Sequence, residues 1–123
     1  MKRIIFYLTS TIILASCSEN KDSYNFVQKN IGTVPLDNVH VSFNGFKSAG
    51  GALYPGMTAY HQMVDKHGDI PEKVNVQWQR IKDGKNFNTT LKVKSELPQG
   101  HFHGDIIFLF NDDKVKLNWK KDL

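Results

Sequence analysis

This chain of 123 residues holds a single cysteine, Cys17. No disulfide can form within it, so its fold must rest on an apolar core, without the cross-links that small domains in oxidising compartments often use. The longest apolar run, Ile4 to Leu14, is broken by Thr9, Ser10 and Thr11 and reaches about half the ~20 residues of a spanning helix. A permanent membrane span is not expected. Charge of one sign is also missing: sixteen Lys and Arg are interspersed with twelve Asp and Glu, which describes a solvated surface and no nucleic-acid patch. The glycine-rich stretch "NGFKSAGGA" lacks both G-x-G-x-x-G and the P-loop pattern, so a phosphate cradle has no support. Ser48 lacks the G-x-S-x-G setting of a hydrolase nucleophile. With no nucleophile–base pair, carboxylate pair or complete metal set at recognisable spacing, neither an enzyme nor a cofactor is expected.

What is present begins with an address. Lys2 and Arg3, the short apolar run, and then Ala15 and Ser16 have the layout of a secretory signal peptide over residues 1–16. The four residues Leu14-Ala15-Ser16-Cys17 resemble the lipobox of bacterial lipoproteins. That resemblance implies that Cys17 receives a diacylglycerol on its sulfur, becomes the new N-terminus and is acylated again. Several acyl chains hold firmly, because each buried CH₂ contributes about 0.8 kcal/mol and one chain alone binds only marginally. Ser18, where an aspartate signals inner-membrane retention in enterobacterial-type lipoproteins, implies export to the outer membrane, facing the periplasm. Removing the leader leaves 107 residues with fourteen basic against twelve acidic side chains, a net charge of +2. That length suits one domain with one core.

Residues 17–36 are expected to be the lipidated N-terminus and a flexible tether, since "SENKDSYNFVQKN" is polar with two isolated aromatics. A single β-rich domain is expected over 37–123. In "VHVSF", Val39, Val41 and Phe43 alternate with polar residues, the period of a half-buried strand. The glycines and proline of "NGFKSAGGALYPG" predict a loop, while "MTAYHQMV" fits a short helix and a short strand equally. Asp83-Gly84, between alternating runs, predicts a two-residue hairpin turn with Trp78 opposite Thr89 and Val76 opposite Leu91. A second hairpin, turning at Asn111 to Lys114, sets Phe110 opposite Val115, Phe108 opposite Leu117 and Ile106 opposite Trp119. Ile107 and Leu109 take the other face, which makes this strand central. Trp78 and Trp119 fall on apolar faces and are assigned to the core. The expected fold is mainly β: a small antiparallel β-sandwich or open barrel with at most one short helix.

Two clusters invite a functional reading. His101, His103 and Asp105 alternate, so on a strand they share a face and could supply three metal ligands. The competing reading, polar residues on a solvated strand end beside Gly100 and Gly104, is preferred, and no metal site is assigned. The aromatic and glycine mixture of loop 44–57, with Phe46, Tyr54 and Met57, is what a protein-binding surface uses. The alternative is that this loop folds back to cap the sheet.

The order Asn44-Gly45, Gly50-Gly51, Pro71, Val74-x-Val76-x-Trp78, Leu97-Pro98 and a closing hairpin from Phe108 to Val115 is similar to a set of small proteobacterial lipoproteins. Some of these are immunity proteins to effectors of the type VI secretion system. The resemblance implies a lipid-anchored β-domain that binds a toxin in the periplasm, through Phe46, Tyr54 and Met57 if loop 44–57 inserts. The other expectation is an accessory envelope lipoprotein that binds another envelope component. A protein partner and the membrane are the expected contacts, with no nucleic acid.

Overall fold

The computed structural model describes residues 22–62 and 69–122. The expected leader, Cys17 and the last two residues of "MTAYHQMV" lie outside the described residues. The strands in chain order are β1 (Ser23–Asn30), β2 (Leu36–Phe43), β3 (Phe46–Lys47), β4 (Thr58–Gln62), β5 (Lys73–Arg80), β6 (Asn86–Lys92), β7 (His103–Asn111) and β8 (Lys114–Lys121). They form two four-stranded sheets, β4-β1-β7-β8 and β3-β2-β5-β6. Packed against each other, these make the expected β-sandwich, with no closed barrel. The only helical element among the described residues is a 3₁₀ turn at Lys94–Glu96.

Alternation explains which faces meet. Val74, Val76 and Trp78 of β5 and Ile106, Phe108 and Phe110 of β7 point inward and are buried, because successive strand residues point to opposite faces. At the centre lies Phe26 of β1, fully buried, with ring centroids 5.4 Å from Phe108, 5.6 Å from Phe43 and 5.5 Å from Tyr24. This ring joins both sheets. β7 is central, as its two-faced apolar pattern predicts, and the β7–β8 hairpin adopts the predicted register, Phe110 opposite Val115 through Ile106 opposite Trp119.

Five expectations need correction or resolution. The tether does not extend to residue 36: Ser23–Asn30 is a strand between β4 and β7, so the folded domain starts fourteen residues earlier than residue 37. Polarity concealed it, because Gln28 and Asn30 occupy inward positions and are buried. β1 also runs parallel to β7, so the first sheet is not purely antiparallel. In the β5–β6 hairpin, Trp78 pairs with Phe87 and Val76 with Thr89, two residues from the expected register. The chain loops through Ile81 to Gly84 instead of turning on two residues, and the Gly84 amide bonds the Arg80 carbonyl. A slip of two preserves every facing, whereas a slip of one would invert the strand. Asn44-Gly45, read as part of a long loop, is a two-residue turn with φ of +43° and +82° joining β2 to β3. Positive φ at both positions is the type I′ signature that favours Asn-Gly. The ambiguous segment at Thr58–Gln62 resolves as strand.

Trp119 is the remaining difference. It lies on the inward face but is 39 % exposed, against 3 % for Trp78. β8 is the edge of its sheet, and Trp119 stands near that edge strand's end.

Candidate functional site

Strand directions give the sandwich two distinct ends. The chain enters through Asp22 at one end, where β1 and β7 begin and β6 and β8 finish. Asp22 secures this entry end: its buried carboxylate accepts from the Phe102 amide at 2.7 Å and the Ile70 amide at 3.3 Å. The far end is built from residues 31–35, 53–57, 81–84 and the turn at 112–113.

Asn30 organises the far end. Its side chain is fully buried, donating to the carbonyls of Val34 at 2.9 Å and Leu53 at 2.8 Å and accepting from the Gly32 amide at 2.9 Å. Its backbone bonds Met57 and Gly56. One residue thus ties the loop after β1 to the turn before β4. That turn, Tyr54-Pro55-Gly56-Met57, has Gly56 at φ +82° and a Met57 amide that donates to the Tyr54 carbonyl at 2.9 Å. Pro at the second and Gly at the third position, with φ positive there, is a type II turn. On its other side, the Trp78 indole donates to the Asp112 carbonyl at 2.7 Å, and Arg80 bridges Asp112 at 2.8 Å and Asp83 at 3.0 Å. The Lys85 amide, against some opposing desolvation and with help from Arg80, holds the Asp83 carboxyl below the usual aspartate range.

This frame presents apolar side chains to solvent. Ile31, Tyr54, Met57 and Ile81 are each between 42 % and 51 % exposed, and they are four of the six large exposed hydrophobics among the described residues. Ile31 also lines a cleft of about 440 Å³ with Leu109 and Val115, and with Asn111, Lys114 and Lys116 around it. An aliphatic floor with ammonium groups on the rim suits an apolar group bordered by negative charge. A second basin of about 390 Å³ lies against the other sheet, lined by Asn38, His40, Lys47, Gln77, Asn86 and Asn88 together with Trp78 and Phe87. It mixes polar and aromatic groups, and the His40 Nδ1 lies 2.9 Å from the Ser48 carbonyl.

The structure brings Tyr54 and Met57 together but not Phe46. Phe46 lies beside the Asn44-Gly45 turn at the entry end, half-buried against Phe43 and Phe26 at 5.5 and 6.3 Å. Loop 44–57 is therefore no single surface. His103 and Asp105 lie on β7, where Asp105 accepts from Asn25 at 3.0 Å, while His101 Nδ1 is 3.7 Å from Asp22. No group of three metal-ligating side chains occurs among the described residues. Nothing in the sequence alone marks Ile31 and Ile81 as surface anchors. The available signal was an isolated isoleucine beside a turn in each case, and that gains meaning only once the loops are adjacent.

Residues 1–18 match the profile of the prokaryotic membrane lipoprotein lipid attachment site, a segment that includes the chain's only cysteine. The protein is a lipid-anchored lipoprotein of the cell envelope. No curated protein and no solved structure matches the chain.

Proposed function

We propose that this lipoprotein, acylated on Cys17 and facing the periplasm from the outer membrane, is an immunity protein whose far end captures an antibacterial effector delivered into that compartment. The observation carrying this reading is the placement of Ile31, Tyr54, Met57 and Ile81 at the end opposite the one where the anchored chain enters. Exposed aromatic and aliphatic side chains gathered at one end, one of which, Ile31, also lines a cleft, are what a protein interface concentrates its binding on. A standard interface covers about 800 Å² per partner, so an inhibitor needs no chemistry to cover an active site or a membrane-docking surface. Lys114 and Lys116 at the cleft rim favour a partner with an acidic border.

The test is a competition. A deletion strain is grown against its parent, then complemented with the wild-type gene or with the Ile31→Asp, Tyr54→Asp double variant. Killing of the deletion strain, rescue by the wild type and failure of the double variant despite normal membrane levels support immunity. Normal survival of the deletion strain beside its effector-bearing siblings overturns it and leaves the accessory envelope role standing.

A further inference from the structure

The early start of the fold bears on how close the domain lies to the bilayer. Asp22 is five residues beyond Cys17, and an extended chain covers at most about 3.6 Å per residue, so the two are separated by no more than roughly 18 Å. The entry end is therefore within reach of the lipid headgroups.

At that end β8 finishes with Trp119, Lys120 and Lys121. Trp119 is 39 % exposed, and its ring packs edge-on against Phe102 with centroids 6.3 Å apart. Lys92 and Lys94, from the end of β6 and the following 3₁₀ turn, lie at the same end, together with the exposed Asp69, Glu72, Glu96 and Asp122. Because the charge there is mixed, the indole and its two adjoining lysines are the distinguishing feature. An indole has an apolar body and a polar N–H, a combination that favours the headgroup boundary, and a lysine near an anionic surface is drawn to it.

We propose that Trp119, Lys120 and Lys121 form a second, non-covalent contact with the phospholipid surface, seating the entry end on the bilayer. The proposal rests on acylation at Cys17, which supplies the proximity, but not on the identity of any protein partner. A patch at the far end would have no such claim on lipid.

The test uses the mature, acylated protein in vesicles of phosphatidylethanolamine and phosphatidylglycerol, with acyl labelling of Cys17 confirmed separately. Tryptophan emission is measured with acyl chains brominated near the headgroup, and with aqueous acrylamide. Trp78, in the core, provides the constant background that Trp119→Phe reveals. Brominated lipid is expected to quench the wild type, with loss of that quenching in Trp119→Phe and a decrease in the Lys120→Glu, Lys121→Glu variant. Acrylamide quenching should fall on reconstitution. Equal acrylamide quenching in vesicles and in detergent-free solution, with no brominated-lipid effect on labelled protein, would overturn the contact. Absence of acyl label on Cys17 would remove its premise and overturn the anchoring reading as well, a result distinguishable from the first.

Discussion

Replacing Asn30 with Ala tests the frame beneath the proposed binding surface. The substitution removes three side-chain hydrogen bonds from a fully buried position, to Val34, Leu53 and Gly32. The Leu53 carbonyl keeps a second donor, the Leu36 amide at 3.2 Å, so that loss is the mildest. At about 0.5–1.5 kcal/mol for each bond, the total is about 1.5–4.5 kcal/mol. That is a large share of the about 5–15 kcal/mol that holds a typical domain together. Urea unfolding followed by tryptophan fluorescence should show the midpoint falling without a change in slope. Amide exchange should quicken most at Gly32. Asn30→Asp separates hydrogen bonding from volume. Its carboxylate can still accept from Gly32 but faces two carbonyl oxygens, so at neutral pH it should destabilise more than Ala. Acid should narrow the gap, because protonation returns one donor. The folded-state pKa of the new aspartate is raised in this setting, so the charge-dependent part of the destabilisation is absent below the unfolded value and grows as pH rises above it, while the loss of one donor remains at any pH. A loss below about 1 kcal/mol with unchanged exchange at Gly32 would refute this account of the far end.

Further consequences concern the core and its pH dependence. Phe26→Ala, at the ring that joins the sheets, should cost about 3–5 kcal/mol in chemical unfolding; a cost near zero would restore the tether reading of residues 23–30. Gly104→Ala would drive a Cβ into the Lys120 carbonyl oxygen and to 2.9 Å from the Lys121 Cα. Since both are backbone atoms, separation of β8 from β7 and a loss of at least about 1–3 kcal/mol are expected, read by calorimetry. Burial, then Asp22 and Asp69, push the Tyr24 phenol up to about 12. With the folded pKa above the unfolded value of 10.0, stability is full below that value and falls as pH rises from there towards 12, which a Tyr24→Phe variant should no longer show. The Tyr24 hydroxyl is buried without a hydrogen-bond partner among the described residues, so Tyr24→Phe should be neutral or slightly stabilising near pH 7 in the same urea assay.

The legible parts of the fold were those where period and turn chemistry acted alone. In the β7–β8 hairpin, alternating apolar residues flank a short polar turn, and the register follows. In β5–β6 the facing followed but the register did not, because Asp83 has a local alternative to a tight turn. It accepts from the Lys85 amide at 3.2 Å and pairs with Arg80, which stabilises a four-residue loop. β1 was hidden for a different reason. Its inward residues include Gln28, whose carbonyl oxygen lies 3.4 Å from His61 Nε2, and Asn30, whose partners come from distant segments. A buried amide reads as polar until its partners are known. Trp119 illustrates the converse: period assigns the face, while the reach of the opposing sheet decides burial.

The same distinction applies to the surface. Tyr54 and Met57 could be singled out together because a Pro-Gly turn lies between them, a local relation. Phe46 belongs to the same run of sequence yet ends at the opposite end of the sandwich, because residues 46–53 run back along β2 from the entry end to the far end. Ile31 and Ile81, far apart in sequence, reach the far end through bonds from the Ile31 amide to Phe110 and from the Ile81 amide to Pro35. The anchor gives this arrangement its direction. Strands of eight residues, at about 3.3 Å each, set the far end roughly 26 Å beyond the entry end. With so short a chain between Cys17 and β1, little of that separation can be lost by the domain wandering away from its anchor. A surface carried there is held away from the bilayer that the anchor enters, because β1 is a strand of the core and not a leash.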